Sequence, residues 1–101
     1  MKRIYVAGPM TGLPDLNFPA FNAQVERLRA EGWDVVSPVE INCGLDHEGW
    51  NACLRRDLAA LVTCDALWLL PGHHSSRGAT LELHVARELG LEIHSALGRI
   101  Q

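Results

Sequence analysis

Four short apolar runs rich in β-branched residues alternate with three segments of helical period, and this alternation constrains the fold more than any other feature of the chain. Lys2–Ala7 reads as a strand stopped by Gly8-Pro9. Asn17 can cap a helix beginning at Phe18, with Pro19 in its first turn; Phe21, Val25 and Leu28 recur at helical spacing, and Gly32 sits where a C-terminal cap belongs. Trp33–Val36 is a second strand, stopped by Ser37-Pro38, and residues 39–49, with Asn42, Gly44, Asp46 and Gly49, read as a loop. Leu54, Leu58, Leu61 and Val62 stripe a second helix over Trp50–Thr63. Asp65–Leu70 is a third strand, nearly continuous in apolar residues, as expected when both of its faces are covered. Pro71–Arg77 is a loop, Gly78–Leu89 a third helix ended by Gly90, and Leu91–Ala96 a fourth strand.

The order βαβαβαβ with short connections predicts one α/β domain over residues 1–101, a parallel sheet with helices on both faces. Ligands of such sheets bind beyond the C-terminal ends of the strands. That rule gathers the segments after strand one (8–17), strand two (37–49) and strand three (71–77), with the helix starts, at one edge, and sends Asp34 and Asp65 to the other. Composition removes several classes. At 48% hydrophobic and 21% charged the chain is not of disordered type. A net charge of -3 leaves no electrostatic footprint for nucleic acid or an anionic membrane. Apolar runs such as Ala66–Leu70 are too short to span a bilayer, and the N-terminus lacks the long apolar run of a secretory signal. Cys43, Cys53 and Cys64 are odd in number and form no C-x-x-C pair, which points to reduced thiols in a cytoplasmic protein.

Glu82 is the sharpest candidate for chemistry. It stands three, four and seven residues before Val85, Ala86 and Leu89, on the apolar line of its helix and near the ligand edge. A carboxyl there is partly desolvated and usable as an acid, a base or a nucleophile, although an acid early in a helix also suits the macrodipole. Asp57, three after Leu54 and four before Leu61, repeats the pattern, with a surface ion pair to Arg55 or Arg56 as the plainer alternative. Two carboxyls in one cleft suit glycosidic cleavage. Gly8-Pro9-Met10-Thr11-Gly12 can bring backbone N–H groups close to an anion, or form a simple tight turn. Ser75-Ser76-Arg77-Gly78 opens the third helix; either serine can cap it, while Arg77 adds a charge that capping does not need and favours an anion site. The five histidines have no metal-ligand spacing, and neither a metal nor an organic cofactor is expected. Trp33 and Trp68 read as core, whereas Trp50, near the cleft, can stack on a base.

Ile4-Tyr5-Val6-Ala7-Gly8-Pro9-Met10, the segment from Asp57 to Asp65, and Leu70-Pro71-Gly72 followed by Ser76-Arg77-Gly78-Ala79-Thr80-Leu81-Glu82 together resemble the nucleoside 2-deoxyribosyltransferase superfamily, in particular its small DUF4406 branch. The likeness runs from Met1 to about Ile93. It implies a small flavodoxin- or Rossmann-like three-layer sandwich with four or five parallel strands in the order 2-1-3-4. It also implies roles. Glu82 falls on the glutamate that attacks the anomeric carbon, Asp57 on the aspartate that protonates the leaving base, Tyr5 near an aromatic residue beside the sugar, and Gly8, Pro9, Met10 and Gly12 on the loop over the ligand. Where the transferases carry a second base-binding aspartate, six residues before the nucleophile, this chain has Ser76. The related nucleoside 5′-monophosphate N-glycosidases have a phosphate-binding serine there, so Ser76, Arg77 and Gly78 tilt the implied substrate toward a nucleotide monophosphate. The sequence also ends before the C-terminal segment that a neighbouring subunit often lends to the site in these relatives.

The expectation is therefore an enzyme, an N-glycosidase or a 2-deoxyribosyltransferase, that cleaves or exchanges the N-glycosidic bond of a nucleoside or its 5′-monophosphate and works as a homodimer or higher homo-oligomer. The alternative is a non-catalytic nucleotide-binding or sensor module on the same fold.

Overall fold

The computed structural model describes residues 2–101. Its elements run β1 (Arg3–Ala7), α1 (Phe18–Ala30), β2 (Asp34–Val36), α2 (Pro38–Ile41), α3 (Trp50–Leu61), β3 (Ala66–Leu69), α4 (Arg77–Glu88), β4 (Glu92–Ser95) and β5 (Gly98–Arg99), with single 3-10 turns at Pro14–Asn17, Asp46–Glu48 and His73–Ser75. The sheet order is β2-β1-β3-β4-β5. β1 pairs with β2 and β3, and β3 with β4, all parallel. The all-parallel expectation fails at the last strand: β5 pairs antiparallel with β4, with His94 opposite Arg99 and Ser95 opposite Gly98. Gly98, at φ +109°, adopts a backbone conformation open to glycine, and the chain folds back there as a hairpin.

Strand alternation divides the core into two layers. Ile4 and Val6 of β1 pack with Phe21, Val25 and Leu28 of α1, while Tyr5 and Ala7 pack on the other face with Leu61 of α3 and Ala79, Leu83 and Ala86 of α4. The period of two thus aims Tyr5 at the layer that holds α3 and α4. Trp68 is half-buried at the border of the α1 layer.

Three local readings need correction. Residues 39–49 are not plain loop. Ser37 Oγ accepts a hydrogen bond from Val39 N at 3.3 Å and Pro38 takes the first helical position, so the pair that stops β2 also starts α2. α4 begins at Arg77, one residue early, because Ser76 is its cap. Asn17 does not cap α1: its backbone is left-handed, and its Nδ2 donates to the carbonyl of Pro9 at 3.0 Å. That bond ties the start of α1 to the segment leaving β1. Asp15, Leu16 and Asn17 are three consecutive residues with positive φ, 52°, 52° and 62°.

Candidate active site

A cleft of about 1000 Å³ lies over the C-terminal ends of β1 and β3, walled by residues 8–11 and Leu13 on one side and the first turns of α3 and α4 on the other. Glu82 and Asp57 line it, and Tyr5 lies beneath Glu82. Tyr5, fully buried, donates its hydroxyl hydrogen to Glu82 Oε2 at 2.5 Å. Glu82 is 5% exposed and lines the cleft. Burial, foremost, with the nearby Asp57 charge, pushes its pKa up to about 8 against the opposing pull of the Tyr5 hydrogen bond. The Tyr5 hydroxyl is held well above its ordinary value by burial and by the two carboxylates above it.

Asp57 lines the same cleft from α3. Burial raises its pKa to about 6, opposed by a hydrogen bond from Asn42 and by the charge of Arg56. Asn42 Nδ2 donates to Asp57 Oδ1 at 2.9 Å and to the carbonyl of Pro38 at 3.1 Å. Arg56 Nε donates to Asn42 Oδ1 at 2.9 Å, and Arg56 Nη1 to Glu48 Oε1 at 2.6 Å. The two acids therefore stand in different settings. Glu82 rests on a buried phenol, and Asp57 is held by an amide that a guanidinium orients.

At the mouth, Ser76 Oγ accepts from Ala79 N at 3.1 Å and caps α4. The N–H groups of Arg77 and Gly78, at the first two helical positions, are left without intrahelical acceptors. The Arg77 guanidinium lies 4.1 Å above the ring of Trp50, an exposed residue at the start of α3, so the pair links the first turns of the two helices.

Of the residues singled out in the sequence, Gly8, Pro9, Met10, Asp57, Ser76, Arg77, Gly78 and Glu82 meet at this cleft. Gly12 lies outside its lining, and Tyr5 reaches it through Glu82. Asp65, at the opposite edge, accepts from the backbone N–H of Arg3 at 2.9 Å and joins the starts of β1 and β3. Asn42 is a site residue that no sequence motif singles out, although the strand-edge rule places its segment at the site. Its importance comes from partners 4, 14 and 15 residues away, which no spacing rule reads. Among the described residues, no group of three His, Cys, Asp or Glu side chains is placed to hold a metal ion.

A family model described as a domain of unknown function, DUF4406, matches residues 2–95. The chain belongs to the DUF4406 family. No curated protein matches its sequence. Among solved structures, this DUF4406 chain is similar to the 2-deoxyribosyltransferase of the psychrotolerant bacterium Bacillus psychrosaccharolyticus, with a TM-score of 0.70 and 24% identity over 92% of this chain and 70% of that one. It is also similar to the 2-deoxyribosyltransferase of Leishmania mexicana, with a TM-score of 0.73 and 20% identity over 94% of this chain and 63% of that one. At these identities what is shared is the fold, and this chain spans roughly two thirds of each enzyme's length.

Proposed function

We propose that the chain cleaves or exchanges the N-glycosidic bond of a nucleoside or a nucleoside 5′-monophosphate. One observation carries this reading: two carboxyls with distinct supports, Glu82 on the Tyr5 hydroxyl and Asp57 on the Asn42 amide, line one cleft of ample size for a nucleotide. The likeness in fold to two 2-deoxyribosyltransferases, one described as a biocatalyst for nucleoside synthesis, supports the same chemistry.

In this mechanism a carboxylate oxygen of Glu82 forms a bond to C1′ of the sugar as the C1′–N bond breaks, and the departing base takes a proton from Asp57. Tyr5 stabilises the Glu82 carboxylate by donation. Water or a second base then attacks C1′, Asp57 takes up the proton that it loses, and Glu82 is released. The step requires Glu82 ionised while Asp57 holds a proton. With values of about 8 and about 6, the pair carries one proton between those pH values, mainly on Glu82, so the reactive form is the minority arrangement with that proton on Asp57; its population, and with it activity, is bell-shaped with limbs near 6 and 8. For a 5′-monophosphate, the free N–H groups of Arg77 and Gly78, the Ser76 hydroxyl and the Arg77 guanidinium supply the phosphate contacts.

The raised pKa of Glu82 also favours a second reading, since at neutral pH the empty site holds this group mainly protonated and poorly nucleophilic. On that reading the chain binds a nucleotide without cleaving it. Chromatographic assay of free base released from nucleosides and 5′-monophosphates decides between them. The enzyme releases base and Glu82→Gln does not. A ligand that binds tightly and is recovered intact from the unmodified protein removes the enzyme.

The reading includes pairing of two copies and a cytoplasmic location. Exposed leucines on and just past α4 (Leu81 and Leu89) support the first, and three unpaired thiols support the second.

A further inference from the structure

The Asn42 amide has one orientation that suits all of its neighbours. The Arg56 guanidinium only donates, so the atom 2.9 Å from its Nε must be the amide oxygen. The Pro38 carbonyl only accepts, so the atom 3.1 Å from it must be the amide nitrogen. Reversing the amide would set N–H against N–H and oxygen against oxygen at a residue that is 7% exposed, leaving buried polar groups without partners. The remaining amide hydrogen therefore points to Asp57 Oδ1, 2.9 Å away, whether or not Asp57 is charged. Oδ1 is thus always an acceptor, and any proton that Asp57 carries resides on Oδ2.

We propose that Asn42 is a positioning residue of the cleft: it occupies Oδ1 of Asp57 and leaves Oδ2 as the single oxygen that exchanges a proton with a ligand. This rests on the reading of Asp57 as the acid that assists the leaving base. The fold anchors Asn42 from both sides. It follows α2, whose Ser37 cap and Glu40 fix the helix, and Glu40 receives Arg29 of α1 in two parallel hydrogen bonds of 2.9 and 2.7 Å. On the far side Arg56 is held in turn by Glu48. Asn42 also lines the cleft, but both of its amide hydrogens are committed, to the Pro38 carbonyl and to Asp57, so it acts on a ligand through Asp57.

The ionisable groups around Asp57 are Arg56 on its own helix, Glu48 behind Arg56, Asp46 and Cys53 on the cleft wall, Glu82 and Arg77 on α4, and Tyr5 beneath. Arg56 favours the charged form of Asp57, and Glu82 and Tyr5, when ionised, oppose it. Asn42 adds a neutral donor that favours the charged form without altering the net charge. Its removal therefore changes Asp57 in a direction that can be told apart from general loss of structure.

The test is a carbon-13 NMR titration of the Asp57 carboxyl in the unmodified chain, in Asn42→Ala and in Asn42→Asp. Without the donor the Asp57 midpoint moves upward by about one pH unit in Asn42→Ala, and further in Asn42→Asp, where a like charge faces it. The acid limb of base release moves upward with it. Should neither Asn42 variant fold, the side-chain amide resonances of Asn42 are followed by nitrogen-15 NMR in the unmodified chain instead: one amide proton shifts with the Asp57 midpoint, and an amide that does not respond overturns the proposal. An Asp57 midpoint unmoved in a folded variant overturns the proposal. The titration needs no turnover, so a chain that cleaves nothing but shows the shift loses the proposed reaction and keeps the Asn42 contact, whereas an active chain without the shift loses the contact alone.

Discussion

Glu82 connects the acidity of the site to the stability of the fold. An ordinary glutamate ionises near 4.5, and here the value is about 8. The folded state thus prefers the protonated acid; that preference contributes fully below about pH 4.5 and is lost as pH rises through about 8. Glu82→Gln keeps an oxygen to accept from Tyr5 and cannot ionise. In thermal melts it matches the unmodified chain near pH 4 and is more stable at pH 9, by a few kcal/mol in order of magnitude. A gap that does not widen with pH would show that the carboxyl is not held in a dry environment. Gly8 is a second single-residue test. A Cβ there would stand 2.7 Å from Leu70 Cβ and 2.9 Å from its Cδ1, so the end of β1 lies against the residue that follows β3 with no room for a methyl group. Gly8→Ala destabilises by about 1–3 kcal/mol in denaturant titration, because the obstructing atom includes a Cβ fixed to the backbone. Both acids were legible in the sequence, since an acid on an apolar helical line is a conflict that patterning exposes. Asn42 was not, because a polar residue in a polar segment conflicts with nothing until its partners are known.

The elements that build the site depend on short signals with two meanings. Ser37-Pro38 was legible as the stop of β2 and is equally the cap and first residue of α2, since the side chain that breaks a strand ladder can receive the first free N–H of a helix. Asn17 carried the opposite ambiguity: asparagine both caps helices and tolerates left-handed backbone, and the fold uses the second property. Ser76 is where such doubling bears on function, because capping α4 and meeting a phosphate are separable roles. Ser76→Asp retains a capping oxygen and adds a negative charge at the helix start; its stability is close to that of the unmodified chain, while affinity for a 5′-monophosphate falls at least tenfold in calorimetric titration. Ser76→Ala loses the cap and about 1 kcal/mol of stability. Equal monophosphate binding by Ser76→Asp and the unmodified chain would confine Ser76 to capping.

Taken whole, the molecule has a radius of gyration of 12.4 Å, close to the roughly 13 Å expected of a packed chain of this length, so its strands and helices form one body around the sheet. The parallel part of that sheet was legible because four apolar runs separated by helical segments admit few connections. β5 was not, since two residues, Gly98 and Arg99, are too short to show a period. The proposed pairing of two copies is a property of this scale: sedimentation equilibrium at micromolar concentration gives twice the mass of one chain, and a single-chain mass removes it. The contact between Arg77 and Trp50 has its own consequence for the intact molecule. An anion that drew the guanidinium inward would uncover the indole, so added inorganic phosphate is expected to change tryptophan emission in the unmodified chain and not in Trp50→Phe, where only Trp33 and Trp68 emit.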